Sequence, residues 1–451
     1  MKTIIITKDN YVNLKKEIFC LMKLKKRQVE LTVTDKKELM PSFGEIALHI
    51  QEITAYENYI QIKIKDIPYC LLPNIDDRMI FNGAKEGKTK LKQCRGCRYE
   101  KRCAGVLNKY LKVYGDQEIK TVKDLPLEVM IEVEPRCNFN CGFCFNKNSF
   151  AKQGRDIKTF TTSQVKKIIE AIAQAEVKII RFTGGEPLLR KDIFELMEYA
   201  KSKGLRVRLN TNGSLIDNKE IVKKLNNLIS SILIPIESYN DKEESLITGY
   251  PHSLEKKIKA IKLLKKEGLM TIRAGTVGTK ESIKNLEKIF KLVQALKLDD
   301  WELYRPIPIP ENKFPLSRDD VRMLVNKLIK FGRKAGRTFN IVNGIPFCAY
   351  DKEKVDSISR GALPIDGHIR YAIDPRGYAK PDYYIDKNIG HPLDVLGCWN
   401  HPFMKRMRNL EYVPKECKDC QYLEKCRGGS RFAAKIAFNS FKAKDPLANY
   451  D

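Results

Sequence analysis

Between residues 127 and 328 the chain switches repeatedly between two hydrophobic periods, and this alternation limits the folds open to it. Strand-like runs occupy 127–134, 177–183, 205–210, 231–236, 270–277 and 300–304. Helical spacing fills the gaps. In 162–173 the apolar residues Val165, Ile168, Ile169 and Ile172 recur on one face. A helix over 192–203 closes at Gly204, one lies around 218–228, one over 254–266 stops at Gly268, and one covers 282–296. Ser317 caps the last, with Asp320 in its first turn and Val321, Leu324, Val325 and Leu328 inward. Six strand–helix units in about two hundred residues predict an α/β fold with a parallel sheet, short of the eight units of a closed barrel. In such folds chemistry collects at the C-terminal ends of the strands.

The first strand delivers the most specific motif, Cys137-x3-Cys141-x2-Cys144, with Phe143 just before the third thiol. Three thiolates in one loop can hold three irons of a 4Fe-4S cluster and leave the fourth open to a ligand. A zinc knuckle lacking one ligand would show the same three thiols. The second strand ends in Thr183-Gly184-Gly185-Glu186-Pro187, where paired glycines permit close backbone approach and a carboxylate can pair an ammonium. The third ends in Asn210-Thr211-Asn212-Gly213 and the fourth in Pro235-Ile236-Glu237-Ser238.

Taken together, these ends resemble the radical S-adenosylmethionine (SAM) enzymes. The resemblance implies a six-unit open barrel in which Cys137, Cys141 and Cys144 hold the cluster and its open iron binds SAM. It also implies reductive cleavage of SAM to a 5′-deoxyadenosyl radical that abstracts hydrogen from a substrate. Gly184, Gly185 and Glu186 match the family stretch that binds the SAM amino group. Asn210 and Asn212 fall where side chains approach the methionyl or ribose part. Ser238 matches a ribose-binding position, whereas Glu237 departs from the pattern, and Phe143 would wall the adenine. Arg273, Thr276, Tyr304 and Arg305 lie near the later strand ends, where site and packing roles are equally open.

Two further cysteine sets repeat one spacing. Ile67-Pro68-Tyr69-Cys70 precedes Cys94-x2-Cys97-x5-Cys103, and Ile345-Pro346-Phe347-Cys348 precedes Cys417-x2-Cys420-x5-Cys426. Each module can supply four thiolates to a closed site, for iron–sulfur or for structural zinc. The second set, followed by Arg427-Gly428-Gly429, resembles the SPASM extension of radical SAM enzymes, which usually holds two auxiliary 4Fe-4S clusters. Here Asp382, Asp366 and Ser430 stand at three ligand places and no cysteine follows Cys426. One auxiliary cluster is expected, on Cys417, Cys420, Cys426 and either Cys348 or Cys398, while zinc stays open for the N-terminal module. Cys20 has no assigned role.

The domain expectation is an N-terminal α/β cysteine-containing domain over 1–122, the partial (βα)6 barrel over 123–336 and a SPASM-like domain over 337–451. Strand-like runs at 2–7, 29–33 and 59–64 give the first its α/β character. Thirteen cysteines in 451 residues with no secretory signal, and no apolar run long enough for a membrane span, point to the cytoplasm rather than to a disulfide framework. The net charge of +27 suits an acidic partner. No recognised nucleic-acid-binding signature accompanies it, and Lys-rich helices such as 256–266 read as solvated faces, so nucleic acid ranks low. The expected substrate is a peptide or protein side chain, with an electron donor such as ferredoxin or flavodoxin. Cofactor biosynthesis, tRNA modification and a non-catalytic metal-stapled binding protein are the alternatives.

Overall fold

The computed structural model describes residues 2–23, 28–54, 61–72, 87–100, 103–146, 159–268, 271–307 and 315–449. Two compact units emerge. One comprises Met1–Asp124 with Gly332–Thr338, the other Leu125–Phe331 with Phe339–Asp451.

The first unit has a parallel sheet of Lys2–Ile6, Gln28–Val33 and Gln61–Lys65. Residues 59 and 60 of the expected third strand lie outside the described residues. Helices Leu14–Lys23 and Phe43–Thr54 pack on a core that includes Ile6, Leu14, Leu31, Phe43 and Ile64. Residues 88–107 carry a small antiparallel ladder, Lys88–Thr89 with Val106–Leu107.

The second unit contains the six expected strands, side by side and parallel: Glu128–Glu134, Ile179–Gly184, Arg206–Asn210, Ser231–Pro235, Ile272–Val277 and Asp300–Tyr304. Position 270, the expected start of the fifth, is not among the described residues. Alternation of inward and outward residues follows the strand period. Ile180 and Phe182 are buried on one face of the second strand while Arg181 and Thr183 point the other way. The helices begin where the sequence supplies caps. Thr161 and Gln164 form a reciprocal capping box on Thr162–Gln174, and Thr279 accepts from the Ser282 amide at the start of Lys280–Ala295.

Residues after 338 do not form a separate compact unit. Asn340–Ile341 adds in parallel beyond the sixth barrel strand, and Arg370–Asp374 adds in parallel beside the first, followed by antiparallel Tyr378–Lys380. Helix Asp241–Thr248, absent from the expected pattern, follows the fourth strand. Among the described residues no helix is long and apolar enough to cross a membrane.

Candidate active site

The three-cysteine loop leaves the first barrel strand and docks on helix Asp241–Thr248. The Asn140 amide donates to the Thr248 carbonyl (2.7 Å) and the Gly142 amide to that of Ile247 (3.2 Å). Gly249 ends the helix at φ +63°, where a Cβ would stand 3.0 Å from that of Asn140. Glycine is needed there for both reasons.

Behind the loop lies a buried ion pair, Lys257 with Glu244. Lys257 belongs to the helix read as a solvated face, so that expectation fails at this position. The periodicity that hides it is the ordinary amphipathic one, with Leu254, Ala260, Ile261 and Leu264 buried beside it. Its ammonium stands 5.4 Å over the Phe139 ring, which stacks on Tyr250. The Glu244 carboxylate also accepts from the amides of Glu237 (2.9 Å) and Ser238 (2.5 Å). Burial, reinforced by the neighbouring thiols, pushes Cys137 up to about 11 and Cys141 up to about 12, with Lys257 pulling Cys141 the other way. Such thiols keep their protons until a metal displaces them, and three of them in one loop fit that donor role.

The second strand end is packed tightly against the cysteine loop. A Cβ on Gly184 would lie 2.4 Å from the Glu134 carbonyl oxygen, and one on Gly185 would lie 2.2 Å from that of Arg136. The glycines let this turn nest against the backbone leading into Cys137, and the Gly185 and Glu186 amides donate to those same carbonyls (2.7 and 2.8 Å). The Glu186 carboxylate, fully buried, accepts from the Leu188 amide (3.0 Å), the Thr211 hydroxyl (2.7 Å) and the Asn212 amide (2.7 Å). Three of a carboxylate's roughly four acceptor positions are thus engaged in holding the third strand's turn. Burial raises its pKa to about 7.

Asn212 then reaches back to the cysteine loop. Its Nδ2 donates to Asn138 Oδ1 (2.8 Å) and stands 3.9 Å from Cys137 Sγ, and its Oδ1 accepts from the Ser214 amide. Asn138 Nδ2 donates to Ser214 Oγ (2.9 Å). Thr211, Asn138, Ser214, Glu244 and Lys257 are the residues the sequence reading missed. Asn138 and Ser214 sit inside or beside recognised motifs and could have been included on that signal.

Asn210 Oδ1 accepts from Arg181 Nη1 (2.8 Å). Glu237 is buried, accepts from the Val277 amide (2.8 Å) and has its pKa raised to about 8 by burial and by Glu244. Ser238 bonds to Glu243 on the following helix. Phe143 is half-buried.

The other cysteines form two groups. Cys70, Cys94, Cys97 and Cys103 line one cavity with Pro68, Tyr99 and Val106, and burial plus the other three thiols pushes Cys70 up to about 11. Cys348, Cys417 and Cys426 lie near enough for their charges to oppose one another, and Cys426 is pushed up to about 12, chiefly by burial. Cys398 is buried, its thiol donating to the His391 carbonyl (3.3 Å). Asp366 and Asp382 are hydrogen-bonded into the fold: the Asp366 amide donates to Asp382 (2.9 Å), and Asp366 accepts from the Arg431 amide (2.8 Å). Ser430 caps helix Arg431–Phe438.

Residues 131–293 match the model of the Radical SAM superfamily. The chain carries a radical SAM domain. It is accordingly an enzyme of the radical SAM kind, a class that works with a 4Fe-4S cluster and SAM. Among curated proteins the chain is similar to an AdoMet-dependent heme synthase of Oleidesulfovibrio alaskensis, at 24% identity over 71% of this chain and 86% of that one. It is also similar to a PqqA peptide cyclase of Granulibacter bethesdensis, at 22% identity over 71% of this chain and 86% of that one. Among solved structures, Streptococcus suis SuiB bound to precursor peptide SuiA matches with a TM-score of 0.59 at 18% identity, over 76% of this chain and 80% of that one. This structural likeness establishes the radical SAM α/β fold with added N- and C-terminal regions.

Proposed function

We propose that this radical SAM enzyme alters a side chain of a peptide or protein by abstracting a hydrogen atom from it. The observation that carries the reading is the fold likeness to SuiB with its bound precursor peptide, which extends well beyond the matched radical SAM segment. The PqqA cyclase relative supports the same substrate class. When bound, the cluster and SAM supply the 5′-deoxyadenosyl radical.

The chain's own residues prepare the site for that chemistry. Cys137, Cys141 and Cys144 are the proposed iron ligands, and Phe143, Asn210 and Asn212 the proposed walls of the SAM site. Gly184 and Gly185 seat the second strand's turn against the cysteine loop. Glu186 acts as a positioning residue, since its carboxylate fixes Thr211 and Asn212. Glu237 and Ser238 close the fourth strand end against Glu244. Cys348, Cys417, Cys420 and Cys426 are the proposed ligands of one SPASM-like auxiliary cluster, and Cys70, Cys94, Cys97 and Cys103 form a second four-thiol metal site. A ferredoxin or flavodoxin is the proposed reductant, and thiol ligands in this number suit the cytoplasm.

A second reading, a small-molecule substrate of cofactor biosynthesis, is favoured by the heme synthase relatives. One experiment separates the two. Anaerobically reconstituted enzyme is given SAM, dithionite and cell extract, and 5′-deoxyadenosine is measured. Stimulation by extract that is lost on protease treatment supports the peptide reading; stimulation that survives protease and passes a small-pore filter supports the other. No 5′-deoxyadenosine under any condition overturns both.

A further inference from the structure

We propose that the barrel interior beneath the SAM site is a seat for carboxylate groups of the substrate. The inference rests on the radical SAM, peptide-modifying reading above and names the chemistry of the group presented to it. Three arginines converge on one carboxylate. Arg181 makes a two-pronged contact with Glu128 (2.8 Å for each bond), Arg208 reaches it at 2.9 Å and Arg370 at 3.5 Å. Across the barrel Arg273 and Arg360 share Glu302 (2.8 and 3.3 Å), and Arg360 also meets Asp300 (3.2 Å). Five guanidinium groups therefore face four carboxylates, Glu128, Glu302, Asp300 and, beside Arg370, Asp382, with Arg208 and Arg360 partly exposed.

The imbalance shows in the hydrogen bonds. Among the described residues, Arg273 Nε and Nη2, Arg370 Nε and the Tyr383 hydroxyl are buried donors with no acceptor. Leaving such donors unmatched is costly, most of all for charged groups. Crowding has a second sign: burial together with Arg181 and Arg273 draws Arg208 down to about 10. An anion placed among these groups would relieve both.

The seat adjoins the chemistry. Arg181 donates to Asn210 at the third strand end, and Tyr383 stacks at 5.7 Å on Phe145, the residue after Cys144. Guanidinium forks match planar carboxylates two bonds at a time. In an unmodified peptide, carboxylates are the anions available, from Asp, Glu or the C-terminus.

The test uses the full chain with its clusters reconstituted and SAM bound, without reductant. Calorimetry compares an acetylated, amidated four-glutamate peptide with its four-glutamine counterpart and with tricarballylate, a free polycarboxylate. The glutamate peptide should bind at least about tenfold more tightly than the glutamine one, a difference one charged hydrogen bond supplies. Arg273→Met should remove that preference and Arg273→Lys restore part of it; should the first not fold, Arg370→Met is read instead. Tricarballylate binding with the same arginine dependence places a small acid in the seat, and binding of the peptide alone places a peptide there; either supports the proposal. Equal binding of the two peptides, or a glutamate preference indifferent to the arginines, overturns it. Dithionite is then added to the same preparation. 5′-Deoxyadenosine without an arginine-dependent preference sinks the seat and leaves the radical reading, and the converse sinks the radical reading alone.

Discussion

The three-thiol loop of the barrel and the four-thiol set of the N-terminal unit differ in how much of their scaffold is local. Around Cys137, Cys141 and Cys144, the scaffold comes from residues distant in sequence: Arg136 and Glu134 meet Gly184 and Gly185, Asn138 meets Ser214, Asn140 meets Thr248, and Lys257 lies behind. Around Cys94, Cys97 and Cys103 local backbone contacts are joined by a few from residues 116–122, where Arg98 meets Val122 and Gln93 meets Asp116 and Thr121. The Cys97 amide donates to the Cys94 carbonyl, that of Cys103 to Tyr99 and that of Gly105 to Cys103 Sγ. A site that must keep one metal position open cannot rely on the metal to hold all its walls, so hydrogen bonds and packing hold them. A closed four-thiolate site can leave that work to the metal.

The sharpest way to break this comparison is to remove one thiol from each. Cys137→Ala should lose about four irons per chain and abolish 5′-deoxyadenosine formation. Cys94→Ala should lose the metal of the N-terminal set and render residues 87–124 protease-sensitive, while SAM cleavage continues. Equal loss of SAM cleavage in both would refute the contrast. Chelation of the wild type should act like the second variant on proteolysis, leaving the barrel segment protected.

Lys257→Met tests the scaffold behind the open site. It leaves Glu244 buried without its cation, and breaking such a pair should cost about 3–5 kcal/mol in denaturant unfolding of the metal-free protein. An equal effect from mutating an exposed lysine of the same helix, such as Lys262, would discredit the assignment. Gly185→Ala drives a Cβ into the Arg136 carbonyl and should destabilise by about 1–3 kcal/mol, with SAM affinity reduced as the turn shifts.

The smallest effect concerns pH. The Glu237 carboxyl, raised to about 8, keeps its proton in the folded chain where the unfolded chain has lost it above the ordinary carboxylate range. Folding therefore takes up a proton, and this contribution declines as pH rises from about 5 towards 8. The metal-free protein should melt lower at pH 8 than at pH 6, and Glu237→Gln should flatten part of that slope.

Much of the barrel was legible because its strands and helices have distinct periods and clear caps, and the cysteine spacing is nearly unambiguous. What escaped depends on distant partners. Helix Asp241–Thr248 has only Glu244 and Thr248 among its buried residues, so no apolar stripe announces it. Lys257 reads as one lysine among many, and only the fold brings it under Phe139. That Gly184 and Gly185 also make room for the backbone before Cys137 was not legible, because a glycine pair gives the same signal for a ligand and for backbone. Arg370 meets Glu128 across 242 residues, a pairing no local pattern carries. The ligand gaps at Asp366, Asp382 and Ser430 were visible, but not that hydrogen bonds with Arg431, Tyr384 and Asp445 occupy their place.

The position of strand Arg370–Asp374 beside the first barrel strand has a consequence for biogenesis. While a ribosome synthesises the chain, strand Glu128–Glu134 is followed soon by its partner at Ile179–Gly184, yet its other edge waits for more than two hundred further residues. At about 5–20 residues per second that interval lasts about ten seconds or more. Throughout it the nascent chain exposes the unpaired edge of residues 128–131. That edge needs cover until the last third of the chain emerges.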